Sequence, residues 1–520
     1  MPGPERSRVP HEVAVELAYQ LVEAAQGHHD ADRVESAEHE ATEQGWDDVL
    51  LLLQFARSLA GLEDGADDTA HVDAMLTIAG RLPERSLLAL ATAVKAARAA
   101  DRRGSTTTRA ESAARLLVEA VVTLDDPGPQ EPVVHRVAAL IEVGNVAHEL
   151  GFWELALDYF TLAEQALAGE TSGRWSDTAR RQQLVVTINR CELVLDWACA
   201  LAAIGEWEQA GVLAATALTD RDPTDADWPP SWVDQYHGQQ HLNAALAATG
   251  APPPPVPANI TALGAAIRAA RAGDHGRAAA LADGPATHVE VHLPGSAHLL
   301  ALSLAAKQPG TTPAAIRYGD QLAALRWNDR LDRMDVMRDA IAVGRRRRDH
   351  EQLRRDFVID ELTGLANRRG YQAYLAAVGE PAGREPERDT RCAVLMVDVD
   401  HFKAVNDGFG HDVGDLVLAD LGRILGAQVR QSDLAARLGG DEFVIILADT
   451  NAGSAESCAT RILQAVLAHP WHELADGLTV SISIGVHHGR HHELPEVLHH
   501  ADKNLYRAKN HGRGRFAATV

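Results

Sequence analysis

"RLGGDEFVII", residues 437–446, sets two glycines where a chain must turn and places two carboxylates, Asp441 and Glu442, directly after them. Apolar sequence flanks the motif, so residues 434–449 (LAARLGGDEFVIILAD) read as a hairpin. Its turn is Gly439-Gly440, a pair able to supply the positive φ angles of a tight turn. Working outward, "CAVLMVDVDHF" (392–402) is a continuous apolar run, as in a strand buried on both faces, and it ends in acids. Residues 412–430, 456–469 and 494–512 carry helical spacing, and 478–489 reads as a further strand. The C-terminal third is expected to be a sheet covered by helices, α/β or α+β in class.

Asp398 and Asp400 stand at i and i+2, which places them on one face where their strand ends. Asp441 reaches the same rim if the hairpin pairs beside that strand. Carboxylates gathered there repel one another and call for a cation. Mg²⁺ (or Mn²⁺) takes hard oxygen ligands and bridges to phosphates. The turn preference of Asp and Gly explains "GGD" alone, but not acids that break an apolar strand end.

Residues 10–340 differ in kind. Segments such as "EVAVELAYQLVEAA" and "DDVLLLLQFARSLAGL" repeat apolar residues at helical spacing, with Gly, Pro and Asp clusters at 125–132, 220–230 and 250–257 between them. An all-helical region is expected. "GFWELALDYFTLAEQAL" (151–167) and "GEWEQAGVLAATAL" (205–218) share Gly-x-Trp-Glu-x-Ala, and "GDHGRAAALA" (273–282) keeps the Gly and the Ala. The first resembles a tetratricopeptide repeat at Gly151, Ala156, Phe160 and Ala163, although the copies are too far apart for a regular array. An irregular helical bundle is the alternative. Residues 313–359 read as one long charged helix with Leu331, Met334, Met337 and Ile341 on one face, the seam of a short dimeric coiled coil. Arg345–Arg348 reads as a solvated helix face rather than a nucleic-acid patch, because acids flank it.

Charge follows the same division. The chain carries −24, yet from Arg345 onward 22 Lys and Arg stand against 25 Asp and Glu. The acidic remainder should repel nucleic acid and anionic membrane, which leaves the nearly neutral C-terminal third as the home of an anionic ligand. Four cysteines without CxxC spacing, no apolar run of membrane length and no signal-peptide core point to a cytoplasmic protein. The His-rich tract 487–500 reads as a solvated loop at a strand–helix junction, and 379–391 as a polar loop.

Residues 356–516 resemble the GGDEF family of diguanylate cyclases. "DELTGLANRR" (360–369), "DVDHFKAVNDGFGHDVGD" (398–415), "RLGGDEF" (437–443), "SISIGV" (481–486) and "ADKNLYRAKNHGRGR" (501–515) follow in family order. The resemblance implies a nucleotide-cyclase or palm-like fold that joins two GTP molecules into cyclic di-GMP. It implies metal ligation by Asp398, the carbonyl of Val399 and Asp441, with Glu442 beside the reacting centre. Phe402 and Lys403 would cradle phosphates, Lys403 taking part in catalysis, while Asn406 and Asp415 would read guanine. Lys509 and Arg513 would grip the terminal phosphates. "RQSD" matches the family's inhibitory product site, with Arg430, Asp433 and a contribution from Arg461.

The expected organisation is therefore multidomain: a tetratricopeptide-like regulatory region at 1–312, a connecting amphipathic helix at 313–359, and a cyclase domain at 360–520. A homodimer is expected, because one such domain holds one GTP. The helical region would answer to a protein or small ligand. The alternative is a catalytically inert module that binds cyclic di-GMP, against which the full set of acids argues.

Overall fold

The computed structural model describes residues 10–519 except 26–29, 64, 102–106, 126–130, 170–173, 220–227, 250–255, 288–292, 380–390 and 431. Most of the loop read at 379–391, and much of the three Gly/Pro/Asp clusters, lies outside the described residues. The chain divides into two units, Met1–Arg345 and Arg346–Val520.

The first unit is helical throughout its described residues, from His11–Ala24 to Gly295–Ala305, followed by the N-terminal part of a 46-residue helix, Pro313–Val358. Each copy of the weak repeat starts at a glycine turn that ends one helix and leads into the next, Trp153–Leu167, Trp207–Ala215 and His275–Thr287. Gly151, Gly205 and Gly273 all take positive φ (80°, 93° and 79°). In each the glycine amide reaches back three residues, and the next amide reaches back five: Phe152 N–H to the Ala147 carbonyl at 2.7 Å, Glu206 to Leu201 at 2.9 Å, Asp274 to Ala269 at 2.9 Å. This is the Schellman stop, which L-residues with a Cβ resist. Five residues after each glycine an alanine is buried (Ala156, Ala210, Ala278), so the returning helix packs closely on the one before.

The long helix departs from the expected seam. Met334, Met337 and Ile341 are buried in the main hydrophobic core of this same unit, and Trp327 packs against that core. Arg330 is buried with them, in a bidentate pair with Glu154 (2.7 and 3.1 Å) and stacked over Trp153 and Trp327. The face read as a dimer seam is thus covered by the chain's own helices. Leu331 alone of the four is exposed, at 38%. A different row, Tyr318, Leu322, Leu325, Val336 and Val343, lies on the opposite side and is exposed. Of the Arg345–Arg348 run, Arg345 pairs with Asp125 at 2.7 Å.

His148 and Asp196 lie 3.2 Å apart, and Asp196 also accepts from the Ser296 amide at 2.9 Å, which ties three helices together. Burial alone would lower the imidazole pKa, but Asp196, with Glu192 and Glu149, outweighs it and holds His148 above its ordinary value. A raised folded-state pKa contributes stability that is full below the unfolded value and lost as pH rises through the folded one. The helical unit of the full-length chain is therefore expected to melt lower at about pH 8 than at about pH 6. His148→Gln should flatten that slope; equal slopes in both proteins would remove the pair from the stability account.

The second unit holds a five-stranded sheet in the order β2-β3-β1-β4-β5, with β1 Arg391–Val399, β2 Leu434–Gly439, β3 Glu442–Ala448, β4 Ile482–Arg490 and β5 Phe516–Thr519. All neighbours are antiparallel except β4 and β5. Alternate residues of β1 enter two cores. Ala393, Leu395 and Val397 face the helices His411–Gly426 and Ala452–Ala468, while Cys392 and Val394 share a core with Leu494, Val497 and Ala501. Burial on both faces is why β1 lacks polar alternation. Gly485 of β4 allows the helix Leu494–Asn510 to lie against the sheet, since a Cβ there would come 2.1 Å from the Ala501 carbonyl and the Leu505 amide nitrogen. Gly485→Ala must push backbone aside and is expected to cost roughly 1–3 kcal/mol in chemical denaturation, as overpacking does.

The His-rich tract is not chiefly a loop. His487 and His488 belong to β4, and His499 and His500 to the final long helix. The ring of His487 lies 4.7 Å from that of His500 and bonds the Thr519 carbonyl at 3.0 Å. The tract joins strand to helix instead of interrupting them.

Candidate functional site

The hairpin forms as its glycines require. Gly439 and Gly440 take φ of 150° and 55°, and β3 returns beside β1 with Asp398 opposite Glu442. Arg437 clamps the turn: its Nε donates to the Gly440 carbonyl at 2.9 Å, and its Nη1 reaches Asp360 at 3.1 Å. Asp360 also accepts from the amide and hydroxyl of Thr363. Burial pushes the Asp360 carboxyl up, but these bonds outweigh it and hold it below its ordinary range. "DELTG" and "RLGGDEF" thus form one brace around the turn, a structural role that single-motif reading missed.

At the rim, the Val399 amide donates to the Asp441 carbonyl at 3.3 Å, joining the end of β1 to the turn. Asp398 is buried and pairs with Lys509 Nζ at 2.7 Å. Burial raises its pKa, Lys509 opposes that, and the negative charges of Asp441 and Glu442 add to the rise. Three carboxylates therefore act on one spot, with one ammonium among them. No group of three or more His, Cys, Asp or Glu stands ready-placed for a metal among the described residues. The donor set nevertheless suits Mg²⁺. It supplies hard carboxylates with surplus negative charge, and such sites leave other ligand positions to phosphate and water.

Asp400 does not join this cluster. It lies one residue past β1, and its carboxylate turns to β4 and accepts from Ser481 Oγ (2.8 Å), Ser483 Oγ (2.6 Å) and the Gly514 amide (2.9 Å). The i, i+2 placement inferred from strand geometry fails because the strand has already ended.

The remaining predicted residues fall on three short stretches. His401 takes φ 57° and starts the helix Phe402–Phe409, which has no side-chain cap, so Phe402 and Lys403 occupy an open N-terminal turn. Such a turn suits phosphate. Asn406 lies against Gly414, where a Cβ would fall on its amide, and this brings Asn406 next to Asp415 on the following helix. Lys509 and Arg513 stand at the end of the final long helix and in the loop after it, with Arg513 at φ 60°.

Arg430, Asp433 and Arg461, the residues expected to form an inhibitory site, lie near one another. Asp433 accepts from the Arg430 amide at 2.9 Å and the Ala448 amide at 3.0 Å. Arg461 donates to Gln428 at 3.1 Å, and both Arg461 and Asp433 act on the Cys458 thiol. Arg430 and Arg461 are exposed, whereas Asp433 holds two backbone amides. Arg430→Ala should therefore alter ligand binding there without a change in melting. Asp433→Ala should also lose about 1 kcal/mol, because it removes the acceptor of two backbone amides, one of them part-buried. Equal melting of the two variants would count against this division.

Residues 357–515 match the family described as "Diguanylate cyclase, GGDEF domain". This segment is a GGDEF domain. Its relatives include the probable diguanylate cyclase DgcE of Escherichia coli, 39% identical over 160 residues, and the response regulator PleD of Caulobacter vibrioides, 41% identical over 163 residues. Each alignment takes in 30% of this chain, and covers 14% of DgcE and 35% of PleD. A solved structure of the coiled coil and GGDEF domain of DgcB from Caulobacter crescentus, in complex with c-di-GMP, is 30% identical. It covers 36% of this chain and 98% of its own, with a TM-score of 0.32. SiaD of Pseudomonas aeruginosa, solved with its activator SiaC, covers 46% of this chain at 30% identity and a TM-score of 0.29. No helix among the described residues is long and apolar enough to cross a membrane.

Proposed function

We propose that this chain is a diguanylate cyclase that condenses two GTP molecules into cyclic di-GMP with release of two pyrophosphates. The observation that carries the proposal is the rim of the GGDEF domain, where Asp398 meets Lys509 under the field of Asp441 and Glu442. In this reading Asp398, the Val399 carbonyl and Asp441 hold Mg²⁺ or Mn²⁺. A divalent cation there neutralises triphosphate charge and lowers the pKa of the attacking 3′-hydroxyl. Lys509, which pairs with Asp398, would serve the terminal phosphates together with Arg513. Phe402 and Lys403 offer the open helix start to phosphate, while Asn406 and Asp415 select guanine through its N1 and N2 hydrogens. Glu442 stands beside the reacting ribose. Incubation of the full-length chain with GTP and Mg²⁺, followed by identification of the product, tests the proposal; absence of cyclic di-GMP from active-site-saturating GTP would overturn it.

Product feedback at Arg430, Asp433 and Arg461 belongs to the same proposal, as does a homodimer, since each of the two new bonds needs one GTP to attack another. The dimer seam is now assigned to the exposed row Tyr318, Leu322, Leu325, Val336 and Val343, whose steps of four, three, eleven and seven residues keep one face of a helix toward a partner. The helical unit, read as tetratricopeptide-like, holds a cleft of about 1110 Å³ lined by Glu142, Asn145, Asn189 and Trp153 on one side and by Ala323 and Trp327 of the long helix on the other. A regulatory ligand or partner segment is placed there. Ala323→Trp, which narrows the cleft, should change specific activity at saturating GTP; unchanged activity in a folded variant would count against a regulatory role for the cleft.

A further inference from the structure

We infer that Asp400 is a positioning residue that sets the phosphate-gripping loop, and that it holds no metal. The inference rests on the cyclase reading of the site and deepens it. The loop after the final long helix runs through Gly512, Arg513 and Gly514, all at positive φ (108°, 60° and 58°). Three successive left-handed residues, one of them not glycine, need external tethers to persist. The structure provides tethers at Arg513, at Gly514 and at the following residue, Arg515. The Arg513 amide donates to the Ala508 carbonyl at 3.2 Å, and the Ile484 amide of β4 donates to the Arg515 carbonyl at 2.9 Å. Between them, the Gly514 amide donates to Asp400 at 2.9 Å.

Asp400 is itself fixed. Its amide donates to the Ser481 carbonyl at 2.9 Å, and its carboxylate accepts from Ser481 and Ser483. The side chain is 6% exposed and makes no ion pair among the described residues. A buried carboxylate satisfied by three neutral donors is tied to geometry and has little left to offer a cation. Arg513, by contrast, is exposed, so its guanidinium is delivered to solvent by a backbone that Asp400 orients.

The donor pattern yields a sharp test. Asn can accept from Gly514 with its carbonyl oxygen and donate its amide to Ser483, whose hydroxyl can turn to accept. Ala can do neither. GTP and GMP binding to the full-length chain are measured at equilibrium with Ca²⁺ in place of Mg²⁺, and turnover is measured separately. Asp400→Ala should weaken GTP binding about tenfold and leave GMP binding unchanged, because only the triphosphate reaches Arg513. Asp400→Asn should bind GTP within about twofold of wild type. The losses in Asp400→Ala and Arg513→Ala should not add when combined. If Asp400→Ala fails to fold, Gly514→Val, a β-branched residue at φ 58°, disturbs the loop from its other partner and should show the same selective loss. Asn as damaging as Ala would indicate a metal or charge role and overturn the inference. So would equal losses for GTP and GMP, or additive losses with Arg513→Ala. A wild-type chain that binds no GTP would instead defeat the cyclase reading itself.

Discussion

Asp441→Ala is expected to bring cyclic di-GMP formation below about 1% of wild type, since even residues one step removed from a metal cost 10–100-fold. Melting should stay within about 0.5 kcal/mol, as at other turn positions outside the core. The contrast arises because the structure uses Asp441 through its backbone. Its carbonyl accepts from Val399, and the turn around it is held by Gly439, Gly440 and the Arg437–Asp360 brace. Removal of the carboxylate spares all of these. It takes away one of the two negative groups that act on Asp398 from this hairpin. Product formation by mass spectrometry beside a thermal melt checks both halves, and undiminished turnover from folded Asp441→Ala protein would place the chemistry elsewhere.

Opposite outcomes are expected from charges on the two sides of the long helix. Met334 and Met337 are each 3% exposed within the helical core, so Asp at either site buries an unpaired charge and should cost at least about 3 kcal/mol. That variant should lose the melting transition of the helical unit. Leu325 and Val336 are 66% and 69% exposed, so Leu325→Asp with Val336→Asp should leave the fold intact. The double variant should shift sedimentation toward monomer and reduce turnover at least about tenfold at low protein concentration, as loss of an apolar seam does. Full specific activity from a strictly monomeric species would refute the seam, and so would a double variant that remains dimeric.

The C-terminal site was legible because its chemistry is local in sequence. Gly439-Gly440 read as a turn and β1 as a doubly buried strand, and the turn delivered Asp441 and Glu442 to the rim beside Asp398. The three helical stops were legible for the same reason, since Gly151, Gly205 and Gly273 act on their own neighbours. Asp400 was misplaced, although Ser481 and Ser483 at i and i+2 on a strand were a signal that something polar faced them.

Sequence by itself determined which residues turn and which strands are buried, because backbone sterics and apolar runs operate within a few residues. The tertiary structure alone decided what each face meets. Met334, Met337 and Ile341 share a helical spacing with Leu322, Leu325, Val336 and Val343, so periodicity could not tell a covered row from a free one. Asp398 and Asp400 were equally alike on paper. One faces Lys509 from the final helix and the other faces two serines and a glycine amide, partners that lie 81 to 114 residues away along the chain.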